Sequence, residues 1–149
     1  MAASVPPYFK KMFRLAAAAR KHAYVPYSSY RVGAAVRDER GRIFAGVNVE
    51  NAAYLQCCAE TSAIGALVTA GGKRITAAVV VAEKSPRGFA TPCGSCRQRL
   101  RELATPDLRI MCADPKGLHQ TYSLGALLPE SFGPEYLPPA KLRQRGGRT

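Results

Sequence analysis

Five cysteines lie among the 149 residues, and three of them fall in patterns that suit a metal ion. Pro92-Cys93-Gly94-Ser95-Cys96 sets two thiols three residues apart, and Cys58-Ala59-Glu60 sets a third beside a carboxylate. Zinc takes thiolate and imidazole ligands in a tetrahedron, with sulfur at about 2.3 Å. Three sulfurs leave one corner for water, the arrangement of a catalytic rather than a structural zinc. Zinc lowers the pKa of such a water to about 7. Glu60 is then expected to take its proton and deliver it elsewhere, as a general acid/base and not as a ligand. A competing reading is a structural zinc held by four thiolates, from Cys57, Cys58, Cys93 and Cys96. Neighbouring helix positions point about 100° apart, so Cys57 and Cys58 make poor co-ligands, and this reading gives Glu60 no role. Cys57 and Cys112 read as small apolar residues.

The elements that must position these groups follow from hydrophobic period and breaker residues. Phe9, Met12, Phe13, Ala16 and Ala17 recur at helical spacing, which predicts a helix over 8–23. Pro26 and two serines make 24–30 a loop. Strands are expected over 31–37 and 43–49 as a hairpin around Asp38-Glu39-Arg40-Gly41. A helix over 58–70 is stopped by Gly71-Gly72, and the apolar run 75–82 suits a strand buried on both faces. A helix over 94–104, a strand over 108–113, a short strand over 119–123 and one helical turn over 124–128 complete the order. Strands alternating with helices imply a three-layer α/β/α sandwich around a mixed sheet of about five strands. The first two strands should be antiparallel and the later crossovers parallel. Both proposed ligand groups then stand at helix starts. The partial positive charge there, roughly half a unit, offsets the excess charge of three thiolates on Zn²⁺ and favours the ionised thiol.

Length fits one domain, read as 1–137 with a basic, flexible tail over 138–149 rich in Pro, Gly and Arg. No apolar run approaches the about 18 residues of a membrane span, and the N-terminal stretch does not read as a signal peptide. An odd number of cysteines cannot all pair, which together with their clustering favours a reducing cytoplasm. The formal net charge is +12. The excess sits before Asp38 and after Glu135, where basic residues have no acidic counterpart, and the segment with the chemical motifs is nearly balanced. This distribution reads as solvated charge that aids solubility, not as a dedicated nucleic-acid surface.

The motifs together resemble the cytidine deaminase family in its short homotetrameric form. The resemblance rests on Val25-Pro26-Tyr27-Ser28, Gly33-Ala34-Ala35, Gly46-Val47-Asn48-Val49-Glu50-Asn51-Ala52-Ala53-Tyr54, Cys58-Ala59-Glu60, Pro92-Cys93-Gly94-Ser95-Cys96-Arg97-Gln98 and Leu127-Leu128-Pro129-Glu130-Ser131-Phe132, in order along most of the chain. It implies zinc-dependent hydrolytic deamination of cytidine and deoxycytidine to uridine and deoxyuridine, a step of pyrimidine salvage. It further implies Cys58, Cys93 and Cys96 as ligands of the zinc cofactor, with Glu60 protonating ring N3 and then the leaving ammonia. Asn48 and Glu50 are implied to bind the ribose hydroxyls, Tyr30 to pack on the substrate, and the Ala59 N–H to bind the base O2. Phe132 is implied to reach a neighbouring subunit's site, which makes the partners a small-molecule nucleoside and further copies of the chain. Thr61 stands where many relatives carry Arg after C-A-E, which shifts charge balance onto Arg97 and the helix ends. The alternative is a related zinc deaminase acting on another nucleoside analogue or on a nucleic-acid base. Such an editor needs an open channel for a strand, whereas Asn48-x-Glu50 suits a free sugar.

Overall fold

A computed structural model describes residues 5–138. Except for Pro138, the expected tail lies outside the described residues. The chain opens with helix α1 (Pro7–Arg20), followed by strands β1 (Gly33–Asp38) and β2 (Ile43–Val47). Helix α2 (Ala59–Thr69), strand β3 (Ile75–Val81) and helix α3 (Gly94–Leu103) come next. Strands β4 (Arg109–Ala113) and β5 (His119–Ser123) and the single turn α4 (Leu124–Leu127) follow. Each expected element is present, with ends that differ from the expected ones by at most three residues.

One five-stranded sheet runs in the order β2-β1-β3-β4-β5. β1 is antiparallel to both β2 and β3, β3 and β4 are parallel, and β5 turns back antiparallel on β4. The strands that α2 connects therefore run the same way with β1 between them, while α3 joins parallel neighbours. Alternation in the strands divides the core between the two faces. Ala35, Ala77, Val79, Val81, Met111 and Ala113 pack with Phe9, Met12 and Ala16 of α1. Val36, Ala78, Ile110 and Cys112 pack on the other face with Ala63 and Leu67 of α2 and Leu100 of α3. This is the expected α/β/α sandwich.

Glycine permits the two closest helix–sheet approaches. A Cβ at Gly46 of β2 would stand 2.4 Å from the Ala63 nitrogen and 2.5 Å from the Ala59 oxygen. A Cβ at Gly33 of β1 would stand 2.1 Å from the Ala16 oxygen. The first approach sets α2, and with it Cys58 and Glu60, directly on the sheet.

Candidate active site at two helix starts

Cys58 is the N-cap of α2 and Cys93 the N-cap of α3, both in extended backbone conformation. Each puts a sulfur where Ser or Asp would put a capping oxygen. Cys96 lies one turn inside α3 and is buried. The three sulfurs lie within 4.8 Å of one another, and Cys58 Sγ and Cys93 Sγ are 3.8 Å apart. Two sulfurs bound tetrahedrally to one zinc stand about 3.8 Å apart, so the spacing fits that ion. The protonation chemistry agrees. Burial first, then the crowding of the other thiols and Glu60, pushes Cys96 far above the usual thiol range; Cys58 is raised chiefly by burial. Burial would also raise Cys93, but the Cys96 backbone N–H and the two neighbouring thiols outweigh it and lower it. Three thiols packed this closely shed their protons together only when a cation takes their place. The residues present fit zinc.

Glu60 sits in the first turn of α2 and is 5% exposed. Burial raises its pKa, opposed by its own backbone N–H and by the Cys96 thiol against its carboxyl. A carboxyl whose burial favours its protonated form is thus set beside the sulfur cluster. Ala59, fully buried at the first helical position, has an N–H with no intrahelical acceptor. Local stitching fixes this start: the Val49 N–H donates to the Cys57 carbonyl at 3.0 Å, and the Ser62 hydroxyl to the Val47 carbonyl at 2.9 Å.

Beside Cys58 opens a hollow of about 430 Å³, lined among others by Tyr27, Ser28, Asn48, Glu50 and Tyr54. Asn48 and Glu50 thus share one cavity with Cys58. Both are also engaged with the 27–32 loop. The Glu50 carboxylate accepts the Tyr27 and Ser28 N–H groups at 2.9 and 3.2 Å, together with the Ser28 hydroxyl. The Asn48 amide accepts the Val32 N–H at 2.8 Å and donates to the Tyr30 carbonyl at 2.8 Å. Tyr30 is half-exposed, and its hydroxyl reaches the Glu83 carbonyl at 3.5 Å. Phe132 does not line the hollow. It is 57% exposed, stacks on Tyr136 with ring centroids 5.4 Å apart, and its carbonyl accepts from Gln98 of α3.

Arg97, next to Cys96 in the chain, makes its hydrogen bonds to neutral acceptors. Its guanidinium donates to the Pro92 carbonyl (2.7 Å), the Leu127 carbonyl (2.7 Å) and the Thr91 hydroxyl (2.8 Å). It fixes the turn that presents Cys93 and ties it to the C-terminal segment. Ser28 and Thr91 carry no role in the sequence reading; Ser28 lies inside a quoted motif, but its acceptor Glu50 stands 22 positions along the chain, outside any local pattern. Cys57 stays out of the sulfur cluster, its Sγ 3.5 Å from the Ser62 hydroxyl.

Residues 8–112 match the family model described as the cytidine and deoxycytidylate deaminase zinc-binding region, a span that contains all three clustered cysteines. The chain is 39% identical over 120 residues to the cytidine deaminase of Sporosarcina psychrophila, covering 80% of this chain and 87% of that one. It is 40% identical over 119 residues to the cytidine deaminase of Halalkalibacterium halodurans, covering 78% and 88%. The crystal structure of cytidine deaminase from Burkholderia pseudomallei superposes with a TM-score of 0.77 at 40% identity, over 83% of this chain and 98% of that one. The chain belongs to the cytidine deaminase family and carries its zinc-binding region.

Proposed function

We propose that the protein deaminates free cytidine and deoxycytidine by adding water and releasing ammonia, with Cys58, Cys93 and Cys96 holding the zinc. The reading rests on one juxtaposition: three sulfurs from two helix starts with a buried carboxyl against them. When bound, zinc acidifies the water that serves as nucleophile. Glu60 takes one proton from that water and gives it to ring N3. A second proton follows the same route to the exocyclic amine, which leaves as ammonia, and the C4 oxygen stays on the ring. Its buried setting raises the carboxyl's pKa and so eases protonation, one half of the shuttling that a general acid/base performs. The Ala59 N–H donates to the base O2, Tyr30 packs on the nucleoside, and Asn48 and Glu50 read the sugar hydroxyls. A buried donor or acceptor left unpaired by the wrong sugar is costly, which makes such groups good discriminators.

The enzyme acts as a homotetramer in which Phe132 completes a neighbour's site. Tyr54, 91% exposed, and Leu55, 72% exposed, give an apolar surface that association would cover. It serves pyrimidine salvage in the cytoplasm. All five cysteines are free, as a reducing compartment keeps them, and no helix among the described residues is long and apolar enough to cross a membrane. The test is Glu60→Gln, assayed by ultraviolet-monitored deamination with metal analysis of the same sample. One zinc per chain with turnover reduced about 10²–10⁴-fold is the expected result. Unchanged turnover, or a single-stranded oligonucleotide deaminated as fast as cytidine, overturns the reading.

A further inference from the structure

The carboxylate of Glu50 has few free acceptor sites. Each carboxylate oxygen offers about two lone-pair directions. Oε2 spends both on the backbone N–H groups of Tyr27 and Ser28. Oε1 takes the Ser28 hydroxyl, so a single direction on Oε1 remains for a ligand in the hollow. Among the described residues, Ser28 is the one side chain bonded to Glu50. The same hydroxyl oxygen also accepts the Tyr30 N–H at 3.0 Å. Between them Ser29 is held at φ 58°, a left-handed conformation that a serine keeps only when its surroundings fix it. One hydroxyl therefore ties together the carboxylate, the strained turn and the backbone of Tyr30. The hydrogen bond from Ser28 is also the largest cause holding the Glu50 carboxyl below the usual carboxylate range, so its acceptor stays ionised.

We propose that Ser28 is a specificity-determining positioning residue, whose hydroxyl leaves Glu50 one aimed acceptor for a sugar hydroxyl and locks Tyr30 in register with it. The inference rests on the proposed role of Glu50 in reading the sugar. A substrate class that includes both cytidine and deoxycytidine makes the 2′ hydroxyl dispensable, so the hydroxyl read is the 3′ one, which both carry on the ring. Without the Ser28 hydroxyl the aim is lost, and 3′-hydroxylated nucleosides lose their advantage over those lacking it.

The experiment measures kcat and KM for cytidine and 3′-deoxycytidine with the zinc-loaded wild type, Ser28→Ala, Ser28→Thr and Glu50→Gln, with zinc content and thermal midpoint recorded for each. A hydrogen bond to a charged group is strong enough that Ser28→Ala should raise the cytidine KM about tenfold. Its kcat should stay nearly constant, and KM for 3′-deoxycytidine should hardly move. Ser28→Thr, which keeps the hydroxyl, should restore the preference. If Glu50→Gln discriminates between the two substrates as the wild type does, the sugar-reading role of Glu50 fails. If Glu50→Gln loses the preference and Ser28→Ala retains it, the positioning role of Ser28 is overturned while that of Glu50 stands. An equal loss on both substrates, or a loss in kcat, also overturns it, because a merely structural serine produces that pattern.

Discussion

Cys57 and Cys58 are neighbours in the chain yet serve different surroundings. Cys58 points its sulfur at Cys93, while the sulfur of Cys57 lies beside the Ser62 hydroxyl. Backbone direction decides this, since Cys58 caps α2 and Cys57 still belongs to the incoming strand-like segment paired with Val49. Cys112, within the core, has its thiol pushed up to about 12 by burial and keeps its proton. Three sulfurs, not four or five, are thus placed for one ion. Cys57→Ala should retain one zinc per chain and Cys58→Ala should lose it, measured by metal analysis after dialysis against a weak chelator. Zinc lost equally from both variants would restore the four-thiolate reading. The triad was legible in the sequence because it depends on two short local patterns at helix starts. The duties of Glu50 and Asn48 toward residues 27–32 were not, because their partners there are mostly backbone N–H and carbonyl groups. Every residue type offers those groups, and only folding selects which ones meet a side chain.

At the scale of elements, the site depends on how closely α2 rests on β2. Gly46 faces the first two turns of α2, with Ala59 and Ala63 as its nearest backbone neighbours. A methyl group there overlaps backbone atoms that cannot turn aside as a flexible side chain would. Gly46→Ala should therefore push the start of α2 outward, shifting Cys58 and Glu60 relative to the α3 sulfurs. The expected cost is about 3 kcal/mol in urea-induced unfolding, together with weaker zinc retention. Normal stability with full zinc would show that the helix gives way without disturbing the sulfur cluster. Hydrophobic period located the strands and helices to within a few residues, since buried faces must repeat with the backbone. Strand order was another matter. Insertion of β1 between β2 and β3 is a long-range choice, and the one-residue signals of a strand do not say which strand will lie beside it. The hydrogen-bond partners of Arg97 were hidden for a related reason: two carbonyls and a hydroxyl from distant or backbone positions meet its fork of donors.

At the scale of the whole molecule, α3 joins Cys93 and Cys96 to the C-terminal segment. Arg97 holds the Leu127 carbonyl, Gln98 the Phe132 carbonyl, and Arg101 the Ser131 hydroxyl at 2.9 Å and the Glu135 carboxylate. The segment carrying Phe132 is thereby fixed to the helix that bears Cys93 and Cys96, yet the Phe132 ring turns outward with no core to fill. An exposed aromatic on so firmly held a backbone suits a contact with another copy of the chain. If Phe132 serves a neighbour's site, its loss and the loss of Glu60 damage different halves of one composite centre. Phe132→Ala and Glu60→Gln should each be poorly active alone. Mixed after mild dissociation and reassociation, they should regain activity, because some sites then combine an intact Glu60 from one subunit with an intact Phe132 from the next. Random assembly of equal amounts restores about a quarter of the sites in a closed symmetric oligomer. A mixture that stays at the average of its two parents, while light scattering shows that subunits have exchanged, would place Phe132 within its own subunit's site.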